Sequence, residues 1–140
     1  MNRRDPALPA EPAMRVYLVE DSPLVCERLQ AMLAEIEGTR AVGIAATARE
    51  AIEGIRSEHP DVVVLDLRLA EGSGFDVLRA LQAQTSGIAV YMLSNTTDAP
   101  YRRAAERLGV RGYYDKSTEF ERMRDALADR ARRIRADRMH

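Results

Sequence analysis

The residues of this 140-residue chain that could do chemistry stand where its apolar runs stop. Glu20 and Asp21 follow RVYLV, Asp66 follows VVVL, Ser94 follows IAVYML, and Lys116 comes just after Gly112-Tyr113-Tyr114. A carboxylate at the end of a wholly apolar run is costly unless something binds it. Three carboxylates within about 5 Å of one another repel by roughly 3 kcal/mol per pair at an effective dielectric near 20, so a fold that gathers them needs a cation. Oxygen-only ligands suit a hard divalent ion, and Mg2+ takes one or two carboxylates, keeps waters and adds phosphate oxygens. The loop after Asp66 could add a backbone carbonyl, for which Arg68 is the candidate. A lysine and a hydroxyl aimed at the same point supply positioning and charge neutralisation for a transferred phosphoryl group. Asp66 can itself be the nucleophile, since aspartyl phosphates are a known covalent form of this chemistry. Lys116 is the only lysine among 21 basic residues, which fits a site needing a compact ammonium rather than a planar guanidinium. Taken singly, each group has an ordinary reading: a solvated acidic pair for Glu20-Asp21, a capping hydroxyl for Ser94, a packed core ring for either Tyr113 or Tyr114.

Positioning these groups together requires a particular set of elements. The run 61–66, DVVVLD, has four consecutive apolar residues, three of them β-branched, and suits a strand buried on both faces. Further strands are expected at 15–19, 41–45, 88–93 and 112–114. Ser22 followed by Pro23 opens a helix whose stripe is Leu24, Val25, Leu29, Met32, Leu33 and Ile36, ended by Gly38. Thr47 to Glu50 reads as a capping box before Ala51, Ile52 and Ile55, and His59-Pro60 closes that helix. A loop with Gly72 and Gly74 leads to a helix with Phe75, Val77, Leu78 and Leu81 inward. Asp98 is expected to cap a helix over 99–108, stopped by Gly109, and Thr118 to Glu121 reads as a capping box for a last helix reaching about residue 138.

Five strands alternating with five helices through short loops imply an α/β fold, a doubly wound five-stranded parallel sheet of flavodoxin-like order 2-1-3-4-5. Strands 1 and 3 are then neighbours, and Glu20, Asp21 and Asp66 meet at the carboxyl edge, where open α/β sheets bind ligands. Residues 1–13, with three of the six prolines, read as a disordered leader, 14–128 as the folded domain, and 129–140 as an arginine-rich extension of the last helix. Residues 130–140 carry five arginines against Asp137, and this part of the helix is expected to project past the domain as a solvated, self-associating or nucleic-acid-binding segment.

Composition narrows the class. With 46% apolar residues, 31% charged residues and a formal net charge of −1, overall electrostatics favour neither nucleic acid nor membrane as a partner. No run of 18 apolar residues and no apolar signal region occurs, so a cytoplasmic protein is expected. Cys26, the only cysteine, rules out an intramolecular disulfide and reads as a small buried hydrophobe.

The stretches LVEDSP, VVVLDLRL, GFDVLRAL and RLGVRGYYDKS resemble the receiver domain of two-component response regulators, over roughly residues 14 to 128. The resemblance implies that Asp66 accepts a phosphoryl group from a sensor histidine kinase or phosphotransfer protein. It implies that Asp21, Asp66 and the Arg68 carbonyl bind Mg2+, with Glu20 acting mainly through a metal-bound water. Lys116 would pair with Asp66 and then with the phosphoryl oxygens. Ser94 would move to the phosphoryl group, letting Tyr113 turn inward and remodelling the face of helix 4, strand 5 and helix 5 toward a downstream protein or a homodimer through helices 4 and 5. Three positions depart from the family pattern. Ala70 and Ser117 stand where proline is usual, which implies a less rigid metal-binding loop and a less fixed lysine. Asn95 is larger than the residue usual after the switch hydroxyl and is expected to narrow access to Asp66 or touch the phosphoryl group. The implied function is that of a stand-alone, non-enzymatic receiver. Alternatives are a pseudo-receiver scaffold and an aspartyl-nucleophile phosphatase of the haloacid-dehalogenase type. The phosphatase would need a second Asp where this chain has Arg68.

Overall fold

A computed structural model describes residues 14–84, 87–96 and 98–138. Strands β1 (Met14–Val19), β2 (Thr39–Ala45), β3 (Val62–Leu65), β4 (Ala89–Ser94) and β5 (Gly112–Asp115) alternate with helices α1 (Pro23–Ala34), α2 (Ala48–Glu58), α3 (Gly74–Gln84), α4 (Ala99–Arg107) and α5 (Phe120–Arg138). The sheet is parallel throughout, in the order β2-β1-β3-β4-β5, as the alternation of elements predicts. Successive strand residues point to opposite faces, so the apolar run of β3 feeds two cores. Val62 and Val64 pack with Leu29, Leu33, Met123 and Leu127 of α1 and α5. Val63 and Leu65 pack with Ile55, Val77 and Leu78 of α2 and α3.

The helix starts obey local chemistry, with three departures from the sequence reading. Ser22 accepts from the Val25 N–H and Thr47 from the Glu50 N–H, as expected of caps. Leu24, expected in the α1 stripe, is 75% exposed; beside Pro23 in the first turn, it points away from the sheet. Asp98 precedes α4 but makes no side-chain cap bond; its carbonyl accepts from Tyr101 and Arg102. The Thr118 box is displaced by a stronger competitor. The Asp115 carboxylate accepts from the N–H groups of Ser117 and Thr118, turning the chain so that α5 opens at Phe120.

The last helix stays on the domain rather than projecting beyond residue 128. Ala131 is 1% exposed and Ile134 packs against the α1 and α5 core. Arg135 donates to the Glu37 carbonyl at 2.7 Å, and Arg138 pairs with Asp61 at 2.8 Å. The arginines that read as a solvated extension thus fasten it to the start of β3 and the end of α1. No helix among the described residues is long and apolar enough to cross a membrane.

Burial of Ala131 makes a direct test possible. Ala131→Asp places an unpaired carboxylate in that core and is expected to lower unfolding stability in urea by about 3 kcal/mol. Arg138→Ala, which removes a half-exposed ion pair with Asp61, is expected to cost under about 1 kcal/mol. A neutral Ala131→Asp would restore the projecting helix.

Candidate functional site

Asp66 follows the last residue of β3, and its N–H donates to the Val19 carbonyl of β1 at 3.0 Å, which locks the acidic end of one strand to the other. The side chain is 5% exposed and both oxygens are engaged. Oδ1 accepts from the Arg68 N–H at 3.3 Å and Oδ2 from the Lys116 ammonium at 2.8 Å. Glu20, 3% exposed, has an equally full set: Oε1 lies 2.8 Å from Lys116 Nζ, and Oε2 accepts from the Ser22 N–H at 3.0 Å. Asp21 is exposed. Carboxylate oxygens of Glu20, Asp21 and Asp66 fall within 4.8 Å of one another, a spacing that suits one small cation.

The charge in this cluster is unbalanced. One ammonium sits among three carboxylates. Burial pushes the Glu20 carboxyl above its ordinary range and the Asp66 charge adds to the push, while the Lys116 hydrogen bond opposes it. Burial works against the Lys116 ammonium, but the hydrogen bonds it donates to Asp66 and Glu20 outweigh it and raise its pKa. The two directions agree physically: Lys116 is held charged, and it does not suffice to offset the burial of Glu20.

The surrounding loops are fixed by bonds that the sequence did not announce. The Ala70 N–H donates to the Ala46 carbonyl and the Ala48 N–H to the Glu71 carbonyl, each at 3.0 Å, stitching the loop after Asp66 to the start of α2. A proline at position 70 has no N–H to give. The Ser117 N–H likewise donates to Asp115 Oδ1 at 2.7 Å, and Glu119 Oε1 accepts from the Asp115 N–H at 3.0 Å. The looser loops expected from Ala70 and Ser117 are therefore tied by hydrogen bonds in place of rings. Gly74 closes the loop where a side chain has no room, for a Cβ there would fall 2.5 Å from the Asp66 carbonyl oxygen.

Ser94 ends β4, is 1% exposed, and accepts the Thr96 N–H at 3.0 Å through its hydroxyl; its carbonyl accepts from the Lys116 N–H at 3.0 Å. The Tyr113 ring is buried in the α2 and α3 core and its hydroxyl donates to the Thr96 carbonyl, while the Arg102 guanidinium lies 5.2 Å from the ring centre. Tyr114 points to the other face, against α5, so strand alternation separates the two rings that spacing left open. Tyr113 thus already faces inward. Asn95 is exposed. Arg68 presents its N–H to Asp66, and its side chain is exposed. Thr96, which links Ser94 to Tyr113 through its own backbone, escaped sequence reading because a main-chain role leaves no side-chain signal.

Comparison with known proteins places this geometry. Residues 16–128 match the response regulator receiver domain. The transcriptional regulatory protein MalR of Bacillus subtilis is 30% identical over 91% of this chain and 54% of its own length. A protein-glutamate methylesterase/protein-glutamine glutaminase of Anaeromyxobacter dehalogenans is 36% identical over 91% of this chain and 38% of its own length. The chain spans about half the length of the first curated relatives it matches. Among solved structures, a LuxR-family two-component response regulator from Aurantimonas sp. superposes with a TM-score of 0.74 at 26% identity, covering 91% of this chain and 99% of that one. The response regulator domain of Thermotoga maritima CheB superposes with a TM-score of 0.74 at 23% identity, covering 86% and 95%. With the family matched over most of its length, this chain belongs to the response regulator receiver domains.

Proposed function

We propose that the chain accepts a phosphoryl group on Asp66 from the phosphohistidine of a sensor kinase or phosphotransfer protein, and signals the change by protein contacts. The observation that carries this reading is the buried Asp66 carboxylate, hydrogen-bonded to Lys116 within a three-carboxylate cluster that one ammonium leaves under-neutralised. In the transfer, an Asp66 oxygen attacks phosphorus, the P–N bond breaks, and its electron pair returns to the imidazole of the donor. Lys116 then follows the negative charge from the carboxylate to the phosphoryl oxygens.

The donor set fits Mg2+: Asp21 and Asp66 would bind it with the Arg68 carbonyl. Glu20 would act mainly through a bound water. When bound, the ion would supply neutralisation of charge between the carboxylates and the phosphoryl oxygens. Ser94 would release the Thr96 N–H to bond the phosphoryl group. Because Tyr113 holds the carbonyl of that same residue, the displacement would reach the ring and the face formed by α4, β5 and α5. Asn95, exposed beside Ser94, would stand over the path to Asp66. The reading is of a binding module switched by modification.

Two measurements test it. Incubation with acetyl phosphate and Mg2+, followed by intact mass spectrometry, is expected to add one phosphoryl group to the wild-type chain and none to Asp66→Asn or to samples without Mg2+. No adduct under any condition would favour the scaffold reading. Lys116→Met addresses the charge imbalance. Losing one partner of a buried ion pair is expected to cost about 2–4 kcal/mol near neutral pH. Glu20 loses the bond that opposed its upward shift, so the folded variant takes up a proton more readily than the unfolded chain and its stability rises as pH falls toward the carboxylate range. The deficit should shrink toward about pH 5 and on adding Mg2+ near neutrality. A deficit unmoved by either, in urea titrations, would reduce Lys116 to a packing role.

A further inference from the structure

The amino-terminal edge of the sheet, opposite the Asp66 cluster, carries a second concentration of charge. Between β5 and α5 lies a cavity of about 200 Å3 lined by Tyr91, Arg111, Tyr114, Asp129, Arg130 and Arg133. Its donors come from three elements. Arg111 leads into β5 and its N–H is fixed on the Val90 carbonyl at 2.7 Å, which gives its side chain a rigid root. Tyr91 is a buried residue of β4 whose phenol lies in the field of Arg130 and Arg111. Arg130 and Arg133 come from α5.

The cluster lacks a matching anion. Asp129, the acid of the cavity, is taken up on its own helix by Arg132 at 3.4 Å and Arg133 at 3.1 Å. No carboxylate among the described residues pairs with Arg111 or Arg130. Arg130 Nε is, moreover, the buried side-chain nitrogen that has no hydrogen-bond partner among the described residues. A buried guanidinium N–H left without an acceptor is a cost that native folds seldom carry without cause. A water would accept that one bond but leave the charge of two guanidinium groups uncompensated.

We propose that this cavity is a binding site for a tetrahedral oxyanion of the phosphate class, held by Arg111 and Arg130 with the Tyr91 and Tyr114 hydroxyls as further donors. Donors converging from β4, β5 and α5 suit a tetrahedral ion better than a planar carboxylate, whose two oxygens lie in one plane. The volume admits the oxyanion, and because the cavity opens to solvent the remaining groups of an organic phosphate would lie outside it. The site is independent of Asp66 and of its phosphorylation.

The test uses the full chain without Mg2+. Inorganic phosphate is titrated against sodium chloride at matched ionic strength, and AMP is titrated in parallel. Melting temperature and the NMR signal of the Arg130 Nε–H are followed. Phosphate or AMP is expected to raise the melting temperature and shift that signal, with chloride inert. A response to inorganic phosphate identifies the free ion as sufficient, and a response to AMP alone identifies a phosphomonoester. Arg111→Ala, at an exposed position that leaves the core intact, and Arg130→Gln are each expected to weaken binding about tenfold or more. Asp66→Asn is expected to bind as the wild type does. Equal effects of chloride, phosphate and AMP would overturn the site. So would a response that survives Arg111→Ala and disappears in Asp66→Asn, because the anion would then sit at the acceptor cluster.

Discussion

Lys116 shares one ammonium between Glu20 and Asp66, with 2.8 Å to an oxygen of each, and much of the molecule serves that geometry. The two carboxylates come from β1 and β3, which are adjacent only because the sheet winds outward in both directions from that pair. The lysine comes from beyond β5, two strands away from β3, and reaches the cluster because its own N–H is pinned to the Ser94 carbonyl at the end of β4. The apolar runs behind these residues give the strands no freedom to slip, since a one-residue shift would exchange their two core faces. The register that buries Val62 to Leu65 is thus the register that delivers Asp66.

Such a cluster is poised by being incompletely neutralised. A fully paired set of charges would gain little from a further cation, whereas three carboxylates around one ammonium gain from any added positive charge. They also gain from moving negative charge outward, where more donors can reach it. Glu20 shows the imbalance in its raised pKa, with burial as the larger cause and Asp66 as the repelling neighbour. The cost is held by the sheet beneath, where the ends of β1 and β3 are bonded together through the Asp66 N–H.

Sheet order, strand identity and the acidic and basic groups of the edge were legible in the sequence because each rests on strong patterns. The unbroken run VVVL, the Ser22-Pro23 start and the placement of Glu20, Asp21 and Lys116 after apolar runs are examples. What was not legible rests on competition between local partners. Thr118 looked like a cap, but Asp115 takes the N–H groups of Ser117 and of Thr118 itself, the latter being the one a Glu121 carboxylate would accept in the box. The arginines after residue 128 looked solvated, because charge pattern alone cannot show that Asp61 and the Glu37 carbonyl lie within reach of Arg138 and Arg135. Ala70 and Ser117 looked like losses of rigidity, since a missing ring is visible in a sequence and a gained hydrogen bond is not.

Those two positions bear on how the site holds its shape. Proline stiffens a loop by fixing φ, while alanine and serine leave φ free but restore an N–H. Here both N–H groups are used, one toward Ala46 beside α2 and the other toward Asp115 at the end of β5. A ring would make each loop stiff by itself; a hydrogen bond makes it stiff only while its partner element stays in place. The loop after Asp66 is thereby coupled to α2, and the lysine turn to β5 and, through Glu119, to the start of α5. In this chain the geometry around Asp66 depends on neighbouring elements that an intrinsically rigid loop would leave independent. Under the proposed function, a change of charge at Asp66 would have a route to α5 through Lys116, Asp115 and Glu119, beside the one through Ser94, Thr96 and Tyr113.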